Sequence, residues 1–279
     1  MAANSEGKLM DSLHTKPSAR QSRRRAGSTT SNGRAVTVDP LQRVTTPLNA
    51  PAYPMPPYRF TDREYLRILY RSDLDAVRGV VPAPLRVRDP IVRFEVIRMP
   101  DSTGLGSYHE CGQIAVVEHD GELADYNVGL YVDSVAAIVS GREVAGYPKK
   151  GGRPDLYVDS DTLVATLEYG SLRVATATMG YKFNALESGA ARDEIAIPTY
   201  QVKIVRGDQG EIRVCELVRT GVRDITVKGA WTAPGRLQLF AHALAPLADL
   251  PVREVISAHH IVTDMTLGAV QPVHDYLET

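Results

Sequence analysis

Apolar and polar residues alternate over many short segments of the chain, with a period that favours strands over helices. Four of these segments are rich in β-branched and aromatic residues and are predicted to be strands: 91–99, 112–119, 125–132 and 256–267. Two longer segments contain an internal turn and are predicted to be β-hairpins: 161–181, turning at 169–171, and 199–218, turning at 207–210. The pattern therefore predicts a mainly β chain with tight turns.

Helical patterns are fewer. Residues 72–82 are predicted to form a helix, because Ser72 can cap it, its apolar residues share one face and Pro82 stops it. Further helices are predicted at 134–142, 185–196 and 235–247. Strands and helices do not alternate, which argues against a doubly wound parallel sheet. The predicted class is α+β and mainly β, with a closed or sandwiched antiparallel sheet and a few peripheral helices.

Composition narrows the class of protein. The chain has 279 residues, 43% hydrophobic and 23% charged, which is typical of a soluble globular protein with an ample core. The net charge of −1 gives no reason to expect a nucleic acid or a membrane as partner. No apolar run reaches the roughly 18 residues of a membrane-spanning helix. Two cysteines without a CxxC motif favour a reducing, cytoplasmic location.

The first 48 residues differ from the rest. They carry eight Lys or Arg against three acidic residues, and they are rich in Ser, Thr, Asn and Gly. We predict that 1–48 is a disordered basic tail and that 49–279 is the folded domain. The three arginines at 23–25 suit a short RNA-binding or targeting motif, but a run of three is more typical of a solvated tail.

Signatures of metal and cofactor sites are missing. His259 and His260 are adjacent, so in a strand they would point to opposite faces. The Gly-Leu-Gly at 104–106 is a fragment of a dinucleotide motif without strand–helix context, and we interpret it as a turn. We therefore expect neither a metal nor an organic cofactor.

Lys149 and Lys150 form a pair of like charges beside apolar residues in GREVAGYPKK, 141–150. One interpretation is a solvated turn, and the other is a reactive amine. An amine that attacks a carbonyl must be neutral, but at pH 7 a lysine with the ordinary pKa of about 10.4 is neutral in only about one molecule in 2,500. Burial or a second cation raises that fraction. The spacing alone leaves both interpretations open.

The segment GREVAGYPKK resembles the active-site segment of the acetoacetate decarboxylase family. The resemblance continues in order over about 50–278, in these segments: REYLRILYRSDLDAVRGVVPAPL (63–85), VRFEVIRM (92–99), DSTGLGSYHECGQ (101–113), VDSDTLVATLEYGSLRVATATMGYK (158–182), RLQLFAHALAPLADLPVREV (236–255) and VHDYLE (273–278). It implies an antiparallel β-barrel or cone-like closed sheet, a large homo-oligomer and a small β-keto acid as substrate. It also implies decarboxylation of acetoacetate to acetone and carbon dioxide through a Schiff base. That family is itself a standard example of lysine activation by desolvation or an adjacent cation.

The resemblance also implies the site residues. The nucleophile is Lys149, with Lys150 as its neighbour. Arg63 is expected to orient the substrate carboxylate, and Glu95 and Glu110 to move protons. An alternative role for the two glutamates is structural, namely to neutralise Arg63 or Lys150. The sequence departs from the family pattern at 129–130, Gly-Leu, where bulkier residues are expected to line the pocket.

The extended conformation expected for 147–150 would direct the two lysine side chains to opposite sides. At a separation of about 10 Å and an effective dielectric constant of about 20, their repulsion is roughly 1.7 kcal/mol, which is less than activation requires. We therefore predict that desolvation contributes more than Lys150 does to the reactivity of Lys149.

Two rival functions follow from the same residues. One is an aldolase-dehydratase that uses Lys149 as a Schiff base on a different keto acid, because a fold and a lysine do not determine the reaction. The other is a noncatalytic small-molecule-binding barrel with a vestigial lysine. Release of acetone tests the first rival, and borohydride trapping on Lys149 tests the second.

Overall fold

The computed structural model describes residues 38–278, and strands are the main element of this part of the chain. It contains sixteen strands and three α-helices. The strands are β1 (Tyr58–Arg71), β2 (Ile91–Met99), β3 (Asp101–Ser102), β4 (Tyr108–His119), β5 (Glu122–Val132), β6 (Lys149–Gly151), β7 (Arg153–Asp159), β8 (Thr162–Tyr169), β9 (Leu172–Gly180), β10 (Asn184–Ala185), β11 (Thr199–Arg206), β12 (Ile212–Thr220), β13 (Val222–Thr232), β14 (Gly235–Leu239), β15 (Glu254–Leu267) and β16 (Gln271–Asp275). The helices are α1 (Leu74–Arg78), α2 (Val135–Ala145) and α3 (Ser188–Ala196), with 3-10 turns at Pro40–Gln42 and Leu247–Asp249.

Twelve of the strands form one large sheet, with the order β10-β13-β15-β1-β2-β4-β5-β11-β12-β16. Strand β3 pairs with β1, and β6 pairs with β5. Most neighbours are antiparallel, but β5 pairs in parallel with both β6 and β11. The parallel β5–β6 pair requires a crossover, and helix α2 supplies it.

The second sheet packs on one face of the large sheet. Its order is β14-β9-β8-β7, and all its pairs are antiparallel. Leu66 and Ile68 of β1 share one buried apolar cluster with Leu163 and Leu167 of β8. The main core therefore lies between the two sheets.

Helices α2 and α3 cover the opposite face of the large sheet. Tyr65 of β1 and Ile97 of β2 belong to a second buried cluster, together with Ala137 of α2 and Ala191 of α3. Helix α2 begins where the Ser134 hydroxyl accepts a hydrogen bond from the Ala137 N–H at 3.3 Å. The large sheet thus has an apolar layer on each face.

Much of the predicted secondary structure is confirmed. The four predicted strands correspond to β2, β4, β5 and β15, and the two predicted hairpins to β8–β9 and β11–β12. The mainly β class with few helices is confirmed as well. The closed barrel or cone is not confirmed, since the end strands β10 and β16 do not pair with each other among the described residues.

The predicted helix at 235–247 is wrong. Residues 235–239 form strand β14, which pairs with β9, and burial alternates along it because Leu237 faces the core while Arg236 and Gln238 are exposed. The helix predicted at 72–82 is limited to α1, and Asp73 rather than Ser72 occupies its N-cap.

The predicted tail at 1–48 lies outside the described residues up to residue 37, and its disorder stays a prediction. Over 38–48 the chain is mostly irregular, with the 3-10 turn Pro40–Gln42. The Thr45 hydroxyl donates a hydrogen bond to the Glu143 carboxylate at 3.3 Å, so this stretch contacts helix α2.

Candidate active site

The alternation of side chains along the strands directs charged residues to the helix-covered face of the large sheet. On β1, Leu66 points into the core between the sheets, so Arg63 points the other way. On β2, Phe94 belongs to that core and Glu95 faces away from it. Glu110 on β4 lies on the same side as Arg63 and Glu95, because all three line one cavity.

Lys149 reaches this cavity from β6. Helix α2 ends at Gly146, whose φ of 71° is left-handed and reverses the chain. The next strand then pairs with β5, with Lys149 opposite Leu130. The Lys149 side chain is only 8% exposed, and its Nζ lies 2.8 Å from Glu110 Oε2. A buried amine is thus in direct contact with a carboxylate that can accept its proton.

Two tyrosines form uncharged walls around the amine. Lys149 Nζ lies 5.8 Å from the ring centroid of Tyr108 and 5.4 Å from that of Tyr147. Burial raises the pKa of Tyr147 to about 12, although its hydrogen bond to Thr220 acts in the opposite direction. Burial raises the pKa of Tyr108 as well. Both phenols therefore stay neutral near pH 7, and Glu110 is the carboxyl group in contact with Lys149.

Arg63 presents a guanidinium that the protein does not neutralise directly. It stacks on the rings of Phe60 and Tyr65, at 5.0 and 4.9 Å from their centroids. Its Nη1 donates to Met265 Sδ at 3.6 Å, and its Nε is buried without a hydrogen-bond partner. No carboxylate among residues 38–278 lies within ion-pair distance of it. Arg63 is therefore available to a carboxylate that enters the cavity.

Electrostatics keep Arg63 charged in this position. Burial acts to lower its pKa, but the neighbouring Tyr65 and Tyr108 and the carboxylates Glu110 and Glu95 raise it above the ordinary value. A cation with a free donor in a low-dielectric site interacts strongly with an anionic ligand.

Glu95 has surroundings that favour a protonated carboxyl. Burial raises its pKa above the usual range, against the opposing charges of Arg67 and Arg63. The Arg67 guanidinium holds it, with Nε at 3.0 Å from Glu95 Oε2. The raised pKa suits the Glu95 carboxyl to donate a proton inside the cavity, whereas Glu110 contacts the amine.

A buried network of charged residues contacts Glu95 through Arg67. Arg67 also contacts Glu194 of α3 at 3.0 Å, and His259 Nδ1 lies 2.7 Å from the same carboxylate. Burial acts to raise the pKa of Glu194, but His259 and Arg67 lower it to about 2. Arg93 pairs with Asp125 in the same wall. These ion pairs hold α3 against the sheet and fix the orientation of the Arg67 side chain.

The cavity that contains these groups has a volume of about 100 Å³. It holds Arg63, Glu95, Glu110 and Lys149, and Leu130 also lines it. A smaller apolar cavity of about 40 Å³ adjoins Lys149 on the side of α2. This is room for a small organic acid.

Lys150 lies elsewhere. It lines a separate cavity of about 310 Å³ together with Gly129 and Arg142. Its ammonium group donates a hydrogen bond to the carbonyl of Leu244 and lies 5.1 Å from the Tyr169 ring centroid. The structure thus brings four of the five residues implied by the resemblance together and separates Lys150 from them.

The described residues contain no group of three or more His, Cys, Asp or Glu side chains arranged to hold a metal ion. Over the same range, no helix is long and apolar enough to cross a membrane.

A family model described as acetoacetate decarboxylase matches residues 45–277. The chain belongs to the acetoacetate decarboxylase family. The acetoacetate decarboxylase of Streptomyces nogalater is 61% identical over 239 residues, which cover 86% of this chain and 98% of that protein. That of Clostridium beijerinckii is 57% identical over 85% of this chain and 96% of its own length.

Solved structures of acetoacetate decarboxylases share the fold. One, titled "Structural Studies of Acetoacetate Decarboxylase", has a TM-score of 0.84 at 51% identity and covers 85% of this chain and 97% of that one. The acetoacetate decarboxylase of Legionella pneumophila has a TM-score of 0.80 at 40% identity, over 87% of this chain and 100% of that one. The enduracididine biosynthesis enzyme MppR, complexed with pyruvate, is 20% identical with a TM-score of 0.71 over 84% of this chain and 98% of that one, a likeness of fold alone.

Sequence reasoning missed the supporting network. Arg67 and Glu194 were assigned no role, although Arg67 lies four residues after Arg63 on the same strand, and hence on the same face of the sheet. The contact of Arg67 with Glu194 joins residues 127 positions apart, and no local pattern indicates it.

Proposed function

We propose that the protein decarboxylates acetoacetate to acetone and carbon dioxide through a Schiff base on Lys149. One observation carries the proposal: the buried Lys149 amine contacts Glu110 at 2.8 Å in a cavity that also presents an Arg63 guanidinium without a carboxylate partner. An amine and a free cation in one small cavity match the ketone and the carboxylate of a β-keto acid. Membership of the family gives independent support.

The first step is formation of the iminium. Glu110 accepts a proton from the Lys149 ammonium group, and the free amine adds to the ketone carbon of acetoacetate. The resulting carbinolamine loses its hydroxyl group as water after Glu110 returns the proton. The product is a protonated iminium that links Lys149 to the substrate.

The second step is loss of carbon dioxide. Arg63 holds the substrate carboxylate so that the carbon–carbon bond to be broken is perpendicular to the plane of the iminium. The electron pair of that bond moves into the iminium and forms an enamine, and carbon dioxide leaves. Arg63 acts here by orientation, because a tighter grip on the carboxylate than on the transition state would slow the reaction.

The third step protonates the enamine on carbon and frees the product. Glu95 suits this role, because burial raises its pKa and its carboxyl group lines the same cavity. Water then hydrolyses the iminium of acetone and restores the Lys149 amine. One proton from the solvent is consumed in each cycle, and the steps use side chains of this protein and water.

An acetone assay tests the proposal, with the wild type, Lys149→Ala and Lys150→Ala compared at equal concentrations. We expect the wild type to release acetone and carbon dioxide in equal amounts and Lys149→Ala to release neither above background. Lys150→Ala is the matched control, because it removes the same charge one residue away and outside the cavity. Acetone release by Lys149→Ala at the wild-type rate would overturn the Schiff-base proposal. A wild type that consumes a keto acid without releasing acetone would favour the aldolase-dehydratase rival.

We also propose that the protein forms a large homo-oligomer in the cytoplasm. Large apolar side chains are exposed on the described chain, among them Phe183 at 66% and Leu244 at 61%, and a second copy would bury them. Both cysteines, Cys111 and Cys215, are free thiols, which suits a reducing compartment. Light scattering on the purified protein tests the assembly, and a monomeric mass would contradict it.

A further inference from the structure

A glycine stands in the middle of α2, where helices disfavour it. Gly141 is the seventh residue of the eleven in Val135–Ala145, and it is buried. Glycine at an interior helical position is less favourable than alanine, because its unfolded chain has more freedom to lose. The backbone of Gly141 does not have a positive φ, so conformation does not require glycine there.

The Lys149 side chain occupies the space that a side chain at 141 would need. A Cβ atom on Gly141 would lie 2.7 Å from Lys149 Cδ, 2.9 Å from Cε and 3.3 Å from Nζ. The first two distances are shorter than real carbon–carbon contacts, so one of the two groups would have to move. The alkyl chain of Lys149 therefore lies directly on the bare backbone of the helix.

Contacts at both ends restrict the path of that alkyl chain. At its tip, Nζ contacts Glu110 at 2.8 Å. At its base, the Lys149 carbonyl accepts a hydrogen bond from Arg142 Nη1 at 3.1 Å, and the Lys149 N–H donates to the Tyr147 carbonyl at 2.7 Å. The Tyr147 N–H in turn donates to the Gly141 carbonyl at 3.0 Å. The strand that carries Lys149 is thus tied to the helical turn that its side chain crosses.

We propose that Gly141 is a positioning residue for Lys149, because the missing side chain defines the path of the lysine and therefore the place of its amine beside Glu110. The inference rests on the proposed function of Lys149. With a methyl group at 141, the flexible end of the Lys149 side chain must shift away from the helix, which moves Nζ relative to Glu110. A displacement of about 1 Å at a reacting atom lowers the rate by about 100-fold.

The kinetic test compares Gly141→Ala with Gly151→Ala and Lys149→Ala. Gly151, two residues after Lys149, is the matched control, because a Cβ there meets no atom within 4 Å. We expect Gly141→Ala to lose about 100-fold in kcat with little change in KM. We also expect slower trapping of acetoacetate on Lys149 by borohydride, and Gly151→Ala to behave as the wild type.

The outcomes separate this inference from the proposed function. A Lys149→Ala variant that still releases acetone contradicts the role of Lys149 itself. An inactive Lys149→Ala beside a Gly141→Ala with wild-type kcat and trapping rate overturns the positioning role and leaves the Schiff base standing.

A stability cycle keeps the inference testable if Gly141→Ala folds poorly. The clash is between the new methyl group and the Lys149 side chain, so it should vanish when Lys149 is alanine. We expect Gly141→Ala to lower the Tm in the Lys149 background and to leave it unchanged or raise it in the Lys149→Ala background, where only helix propensity acts. An equal loss of Tm in both backgrounds would contradict the inference.

Discussion

Lys149 and Lys150 are adjacent in the chain, yet they lie in two different surroundings on opposite faces of β6. Lys149 is buried among tyrosine rings, and its amine contacts Glu110. Lys150 is half-buried on the reverse face, where it donates a hydrogen bond to the backbone carbonyl of Leu244. The same side chain lies in a buried cavity beside a carboxylate on one face and against the loop at Leu244 on the other.

The different surroundings of Lys149 and Lys150 follow from their adjacent positions on strand β6. The strand period of two separates the ammonium groups and assigns each to its own cavity. Glu110 of β4 lies 2.8 Å from the Lys149 amine, and Arg63 of β1 lines the same cavity, whereas the Lys150 cavity contains neither residue. The surroundings of Lys149 thus come from strands β1, β4 and β6, whereas Lys150 contacts the loop at Leu244.

The largest expected effect comes from replacing Lys149 by arginine, with Lys150→Arg as the comparison. Each substitution removes an amine and retains its positive charge. Lys149→Arg keeps a cation in the cavity but removes the nucleophile, and we expect kcat to fall by at least about 10⁴-fold. Lys150→Arg should change kcat by less than about threefold, because Lys150 does not line the cavity that contains Lys149. Steady-state acetone release measures both, and comparable losses would show that the two faces are not distinct.

The next effect concerns Glu110, the carboxylate in contact with Lys149. Glu110→Gln keeps the size and a hydrogen bond but cannot accept a proton from the amine. We expect a loss of about 10²–10⁴-fold in kcat, in the range of general acid–base catalysis. The rate of borohydride trapping should fall in parallel. Normal trapping with slow acetone release would move the role of Glu110 to a later step.

Substitution of Arg63 tests whether the free cation orients the substrate. Arg63→Gln removes the charge, and we expect kcat/KM for acetoacetate to fall by about 10²-fold, because a charge-assisted bidentate contact is lost. Inhibition by a neutral ketone should change much less, since such a ketone has no carboxylate to bind. Equal losses for the neutral ketone would indicate that the substitution disturbed the cavity itself.

The ion pairs of Glu194 with Arg67 and His259 make part of the protein's stability depend on pH. The pKa of Glu194 is about 2 in the folded protein, below its ordinary value of 4.5. Its ionised form therefore stabilises the fold above about pH 4.5, and that contribution of about 3 kcal/mol is lost as the pH falls towards 2. Urea unfolding of the wild type and Glu194→Gln measures the gap between them. The gap should be constant above pH 5 and shrink below 4.5, and a gap independent of pH would contradict the ion pairing.

The smallest effect is expected on the reverse face. Lys150→Met removes the hydrogen bond to Leu244, and we expect a loss of about 1 kcal/mol in the free energy of unfolding with kcat unchanged within about threefold. Denaturant unfolding measures the stability, and the acetone assay measures kcat. A large loss of kcat without loss of stability would give Lys150 a role in the reaction.

The sequence predicted the parts of the fold that depend on local pattern. Both hairpins follow from alternation and turn residues, and α2 corresponds to the helix predicted at 134–142. The helix predicted at 235–247 is wrong because residues 235–239 pair with β9, a partner about 60 residues away along the chain that no local pattern indicates. Strand β1 was missed because its alternation is interrupted by the charged residues that form the site.

The site could be predicted only in part for a similar reason. The family resemblance supplied Arg63, Glu95, Glu110 and Lys149, and the strand period separated Lys150. Arg67 with Glu194 and Gly141 with Lys149 are pairs set by tertiary packing. Gly141 stands at the end of the helix predicted at 134–142, and only the longer observed helix, Val135–Ala145, makes it an interior residue.

Reductive trapping tests the central claim most directly. The wild type is incubated with acetoacetate and borohydride, digested, and the modified lysine is located by mass spectrometry of the peptide containing 149 and 150. We expect one N-isopropyl group per chain on Lys149, from reduction of the acetone iminium, and none on Lys150. Modification of Lys150, or of neither lysine while acetone is released, would contradict it.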